Sequence, residues 1–165
     1  MIRCPYCWST MKEEKHEVLI EGTYCVYSMI VQPVLIGSGI IVPKNHRETV
    51  FDLTPEELEE TFKILKEVRE RVDELYKPQG YNVGWNCYPV GGQFIPHAHL
   101  HVIPRFDDEP LAGKGIRHHL KQESNKRYEN TGQAITRMSG QRSTIPFSHF
   151  RIWDSFDSGR NCKTL

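Results

Sequence analysis

The sequence predicts a single domain of mixed strand and helix, on three observations. Short runs rich in Val, Ile and Tyr are separated by turn residues. One long segment carries both a start signal and a stop signal for a helix. One stretch, "HAHLHVIP", alternates histidine with apolar residues. At 165 residues the chain suits one domain with a real core. The expected boundaries are a folded domain over residues 1–125 and a polar extension over 126–165.

Residues 1–12 place "CPYC" in a Pro-containing turn. "EVLIEGTYCVYSMI" predicts two strands around a turn at Glu21–Gly22, and "GIIVP" a short buried strand ending at Pro43. The helix spans about residues 54–77. Thr54 is its N-cap, Pro55 starts it, Glu57 completes a capping box, and Pro78 with Gly80 stops it. Leu58, Phe62, Leu65, Val68, Val72 and Leu75 recur at spacings of four and three, which predicts one core-facing stripe. "YNVGWNC" predicts a strand, Pro89, Gly91 and Gly92 a loop, and "HAHLHVIP" a final strand. Beyond Arg105 the chain turns polar and irregular, with Phe147, Phe150 and Trp153 scattered in the tail.

Charge excludes one broad class. Lys plus Arg equals Asp plus Glu at 21 each, so no net basicity argues for nucleic acid. No apolar run approaches the ~18–20 residues of a membrane span, and "MIRCPYCWST" lacks the apolar region of a signal peptide. Five scattered cysteines without an export signal fit free or metal-bound thiols in a reducing cytoplasm.

In a strand, His97, His99 and His101 share one face at intervals of roughly 6–7 Å, with Ala98, Leu100 and Val102 toward the core. Imidazole titrates near neutrality and serves as ligand, base or nucleophile. Ligands of one zinc lie within ~4 Å of each other, so three histidines in line do not share an ion easily. At least one has another task. Cys4-x2-Cys7 fits either a redox dithiol or half a zinc site. For the second half, His46 in "PKNHRE" and His97 are the candidates, giving a closed, structural Cys2His2 centre.

"HAHLHVI", with "IIVPKNHRETVFDLTPEE" before it, "NVGWNCYPVGGQFIPHAHLHVIPRF" around it and "CPYC" ahead of both, resembles the histidine triad (HIT) family. The leading "CPYC" is similar to that of its zinc-bearing bacterial branch. The likeness covers about residues 1–120. It implies an α+β fold, an antiparallel sheet with one long helix, paired as a homodimer. It implies hydrolysis or transfer of a nucleotidyl group from a nucleoside phosphoramidate or dinucleoside polyphosphate. His99 is then the nucleophile and His101 its catalytic neighbour. Asn86, Gly92, Gln93 and His101 contact the substrate, and Cys4, Cys7, His46 and His97 bind structural zinc. Two other classes stand beside this reading: a non-catalytic nucleotide-binding module, and a metallohydrolase that uses the histidines as ligands. The chain also departs from the family pattern. Ile30 replaces an acidic residue for the ribose, Phe94 a hydroxyl-bearing residue after the Gly-Gln, and Ser38 a histidine.

Overall fold

A computed structural model describes residues 3–127. Met1–Gln122 form one compact unit and Glu123–Leu165 a second. Of the second unit only 123–127 are described, with a 3-10 turn at Glu123–Asn125. The aromatic tail residues and Cys162 lie outside the described residues.

The unit is built on a five-stranded antiparallel sheet in the order β1-β2-β3-β5-β4. Its strands are β1 (Val18–Glu21), β2 (Cys25–Met29), β3 (Gly39–Pro43), β4 (Gly80–Trp85) and β5 (Leu100–Arg105). Helices α1 (Trp8–Glu13), α2 (Pro55–Tyr76) and α3 (Ile116–Leu120) complete it, with 3-10 turns at Val50–Asp52 and Pro89–Gly91. The fold is α+β, as the sequence predicts. β1 and β2 form the expected hairpin. Its turn is anchored by Glu60 of α2, whose carboxylate accepts the backbone N–H groups of Thr23, Tyr24 and Cys25 at 2.5–2.9 Å.

α2 begins as expected. Thr54 Oγ1 accepts the Glu57 N–H, and the Glu57 carboxylate accepts the Thr54 N–H. It ends with Lys77 in the left-handed conformation, φ 51°, ahead of Pro78. Its buried face differs from the expected stripe. Glu57, Thr61, Ile64, Val68 and Val72 are buried, whereas Phe62 is 52% and Leu75 65% exposed. The cause is close approach. Small Thr61 lets the helix settle on β2, with Cys25 Sγ 3.5 Å from Thr61 Oγ1 and 3.4 Å from the Glu57 carbonyl. Reading only large apolar residues rotates the face by missing Thr61 and the paired Glu57.

Alternation along the strands divides the core in two. Cys25, Tyr27, Ile41, Leu100 and Val102 pack with Ile64, Val68 and Val72 of α2. Val26, Ile40 and Val42 pack on the other face with Met11 of α1. His101 pairs in register with Ile40, so it lies on the face opposite α2. That face carries the site.

Candidate functional site

The histidine run is only partly a strand. β5 starts at Leu100, so His97 and His99 precede it. The reason is a detour in hydrogen bonding. The His97 N–H donates to Ile95 O (2.8 Å), and the Ala98 N–H leaves the sheet for the Arg47 carbonyl (2.6 Å). The three rings therefore do not form one even row. Those of His99 and His101 meet at 4.7 Å in edge-to-face geometry, while His97 aims at the CxxC turn.

His97 is fully buried. Its Nε2–H donates to the Pro43 carbonyl (2.9 Å), which leaves Nδ1 with a free lone pair. Nδ1 lies 3.4 Å from Cys4 Sγ and 3.9 Å from Cys7 Sγ, and His46 Nδ1 lies 3.6 Å from Cys7 Sγ. The four ligand atoms all fall within 4.8 Å of one another. A tetrahedral ion with sulfur at ~2.3 Å and nitrogen at ~2.0–2.1 Å has a sulfur–nitrogen edge of ~3.6 Å. The observed spacings bracket that value, and Cys4, Cys7, His46 and His97 can hold a metal ion. Burial holds His97 down to about 4, so the ring is neutral, as ligation requires. Cys7 sits in the turn as N-cap of α1, and burial followed by the neighbouring Cys4 pushes its thiol up. Among the described residues no other group of three metal-ligating side chains occurs, so His99 and His101 belong to none.

His99 is buried, and its Nδ1 lies 2.6 Å from the His97 carbonyl. A carbonyl only accepts, so Nδ1 carries a proton, and the neutral tautomer is the one with its lone pair on Nε2. Tyr6, between the two cysteines, sets its ring 5.2 Å from that of His99 and 6.4 Å from that of His97, edge-on to both. The sequence offered no signal for Tyr6 beyond its place in "CPYC". His101 is half-buried; burial and then the adjacent His99 lower its pKa. The direction favours the neutral ring in the free protein.

The loop before the triad is more self-contained than expected. Tyr88 is held at φ 60°, and the Gly91, Gly92 and Gln93 N–H groups donate to Tyr88 O, Pro89 O and Tyr88 O. Those amides are engaged, not presented to a ligand. Gln93 is buried: Nε2 donates to Glu48 O (2.6 Å), and Oε1 accepts the Tyr88 N–H (2.7 Å). Gly92 stands at φ 88°, where a side chain is strained. Asn86, exposed just past β4, donates to its carbonyl at 3.4 Å. Phe94 points outward, 92% exposed, and Ile30 is also exposed.

Sequence reasoning missed the loop that joins these parts. Arg47 and Glu48 follow His46 in "PKNHRE", but nothing there gave either a role. Yet their carbonyls hold Ala98 and Gln93, and the Arg47 guanidinium meets Glu57, a carboxylate only 1% exposed.

A five-stranded antiparallel sheet backed by one long helix, with a histidine pair on its open face, defines a HIT-fold protein. Solved structures share that fold. One is a member of the HIT family from Bacillus subtilis: 23% identity, TM-score 0.59, 65% of this chain and 76% of that one. Another is a zinc-bound histidine triad family protein from Mycobacterium smegmatis: 22% identity, TM-score 0.59, 66% and 78%. The HIT domain model matches residues 11–108, and the chain belongs to the HIT family. It is 32% identical to an uncharacterised HIT-like protein of Methanocaldococcus jannaschii, over 64% of this chain and 81% of the relative. Other relatives are named as enzymes. With the asymmetrical bis(5'-nucleosyl)-tetraphosphatase of Schizosaccharomyces pombe, identity is 31% over 46% of this chain and 41% of that one. With the adenosine 5'-monophosphoramidase of Saccharomyces cerevisiae it is 30% over 64% and 65%. The chain thus spans under half the length of the first of these enzymes and just under two thirds of the second. Among the described residues no helix is long and apolar enough to cross a membrane.

Proposed function

We propose that the chain is a nucleotidyl hydrolase or transferase acting on a nucleoside phosphoramidate or dinucleoside polyphosphate. One observation carries this reading: the His99 Nδ1 bond to the His97 carbonyl fixes the neutral tautomer with Nε2 unprotonated. Nε2 attacks the α-phosphorus, and a P–Nε2 bond forms as the bond to the leaving group breaks. The leaving group departs with the bonding pair and takes up a proton from solvent. The resulting imidazolium keeps its Nδ1–H on the carbonyl, which stabilises the positive charge. Water then adds to phosphorus and gives up a proton to solvent, the P–N bond breaks with its pair returning to Nε2, and the neutral ring returns. His101, neutral and 4.7 Å away ring to ring, donates one N–H to the phosphoryl oxygens. Asn86 and Gly92 lie on the substrate's path, and Gln93 acts by bracing Tyr88 against Glu48.

The ion at Cys4, Cys7, His46 and His97 is zinc on this reading, because two thiols and two imidazoles with no open position suit a closed structural zinc site. It would supply a cross-link and no chemistry at phosphorus, and with the leading "CPYC" it supports assigning the protein to the zinc-bearing branch. Residues 1–125 form the HIT domain and 126–165 a polar extension. The protein works in the cytoplasm as a homodimer. Support for pairing comes from β4, an edge strand among the described residues, and the exposed Phe62, which packs on Trp85 at 6.4 Å. A second reading, a nucleotide-binding module without turnover, draws on the engaged Gln93 amide and the outward Phe94.

The test is mass spectrometry of the protein mixed with a panel of adenine and guanine phosphoramidates and dinucleotides and quenched without acid. A nucleotidyl adduct on His99 is expected. Binding with no adduct and no turnover across the panel leaves the binding module.

A further inference from the structure

We propose that Arg47 and Glu57 are positioning residues for the nucleophile, acting through the backbone of residues 46–49. The inference rests on the reading of His99 as nucleophile. Glu57 is a buried carboxylate one turn into α2, and the reaction does not use it. It accepts the Thr54 N–H at 2.9 Å and the Arg47 Nε–H at 2.9 and 3.2 Å on its two oxygens. A capping box alone does not need a buried charge, since these groups also work at the surface. The second partner, Arg47, explains the burial, because a buried carboxylate is retained when it is paired and hydrogen-bonded.

What that pair holds is the segment on which the site rests. His46 offers Nδ1 to the metal centre. The Arg47 carbonyl accepts the Ala98 N–H at 2.6 Å, between the ligand His97 and the nucleophile His99. The Glu48 carbonyl accepts the Gln93 side chain at 2.6 Å. Thr49 closes the segment by capping the next turn, where Asp52 returns a bond to its N–H at 2.8 Å. Three consecutive residues thus each hold a different part of the site, and one ion pair ties them to the longest helix. If Arg47 moves, Ala98 moves with it. The His97 carbonyl, one bond from the Ala98 nitrogen, then shifts beneath His99 Nδ1. A displacement of about 1 Å at a reacting group costs on the order of 100-fold in rate.

The experiment compares Glu57→Gln and Arg47→Lys with Glu60→Gln, all in the full metal-loaded chain. Glu60 is a fair control because its carboxylate carries three backbone bonds on the same helix, but to the β1–β2 hairpin. Three quantities are read: metal content, the NMR resonance of the His99 Nδ1 proton, and the single-turnover rate of His99 adduct formation. In Glu57→Gln and Arg47→Lys the His99 resonance is expected to move. The adduct rate falls about tenfold to 100-fold while KM changes less than about threefold. Metal stays at one per chain. Glu60→Gln loses stability but moves neither the resonance nor the rate. A folded Arg47→Lys or Glu57→Gln protein with an unmoved His99 resonance overturns the proposal, as does an equal shift in Glu60→Gln. If Glu57→Gln does not fold, Arg47→Lys decides alone. If the parent chain forms no adduct at all, the nucleotidyl-transfer reading fails, and the resonance still decides the positioning role.

Discussion

Removing the metal from the Cys4–Cys7–His46–His97 centre is expected to cost several kcal/mol of stability while leaving the chemistry at His99 intact below the new melting point. Cys4 and His97 are 93 residues apart. An ion that joins them closes a loop of that size in the unfolded chain. The loop-closure estimate for a cross-link of this length is about 4–5 kcal/mol. For a domain of this size each kcal/mol moves the midpoint by roughly 3–5 °C, so Tm falls on the order of 15 °C. The assay is thermal denaturation followed by circular dichroism, with and without a chelator, with elemental analysis confirming removal. Cys4→Ser gives the same loss without a chelator. Two results refute the reasoning. A Tm shift under about 3 °C with the metal demonstrably gone removes the cross-link argument. Loss of turnover at 20 °C in a stripped protein with unchanged circular dichroism makes the ion part of the chemistry.

Acid is expected to weaken the metal-free protein in a defined window. Burial holds His97 at about 4 in the fold, below the 6.5 of an exposed histidine, so the unfolded chain binds the extra proton first. The stability this group contributes is full above pH 6.5. It is lost as pH falls from 6.5 toward 4, by on the order of 3 kcal/mol, measurable by urea titration of the stripped protein at several pH values. His99→Ala is expected to abolish turnover with one metal still bound, read by activity and elemental analysis side by side. Ile64→Ala, on the buried face of α2, costs about 2–5 kcal/mol in a denaturant titration. Phe62→Asp changes monomer stability little, since Phe62 is half exposed, but it yields monomers in sedimentation if pairing uses this face.

Local signals carried much of the fold. The helix was legible because its start and stop are chemical: Thr54 with Glu57 at one end, Lys77 and Pro78 at the other. The β3 strand was legible because all five of its residues are buried and it ends at Pro43. What the sequence hid depends on partners far along the chain. The buried face of α2 includes Thr61 and Glu57, and nothing local says that a threonine permits close approach or that Arg47 neutralises the glutamate. The even alternation of 97–101 predicted one strand, yet the Arg47 carbonyl draws Ala98 out of the ladder. Gln93 read as a substrate donor, and only the tertiary fold shows its amide spent on Tyr88 and Glu48. Tyr6 shows the same limit, since its contact with His99 joins residues from opposite ends of the domain.

That last contact sets a timetable during synthesis. Cys4, Tyr6 and Cys7 are made before His97, and both thiols must wait for it before the metal centre can close. At ~5–20 residues per second, the separation of 93 positions takes roughly 5–20 s. For that interval the CxxC pair lacks its histidine partner, and Tyr6 has no His99 to pack against. His99 and its aromatic neighbour therefore come together only once β5, which lies between β3 and β4, has been made.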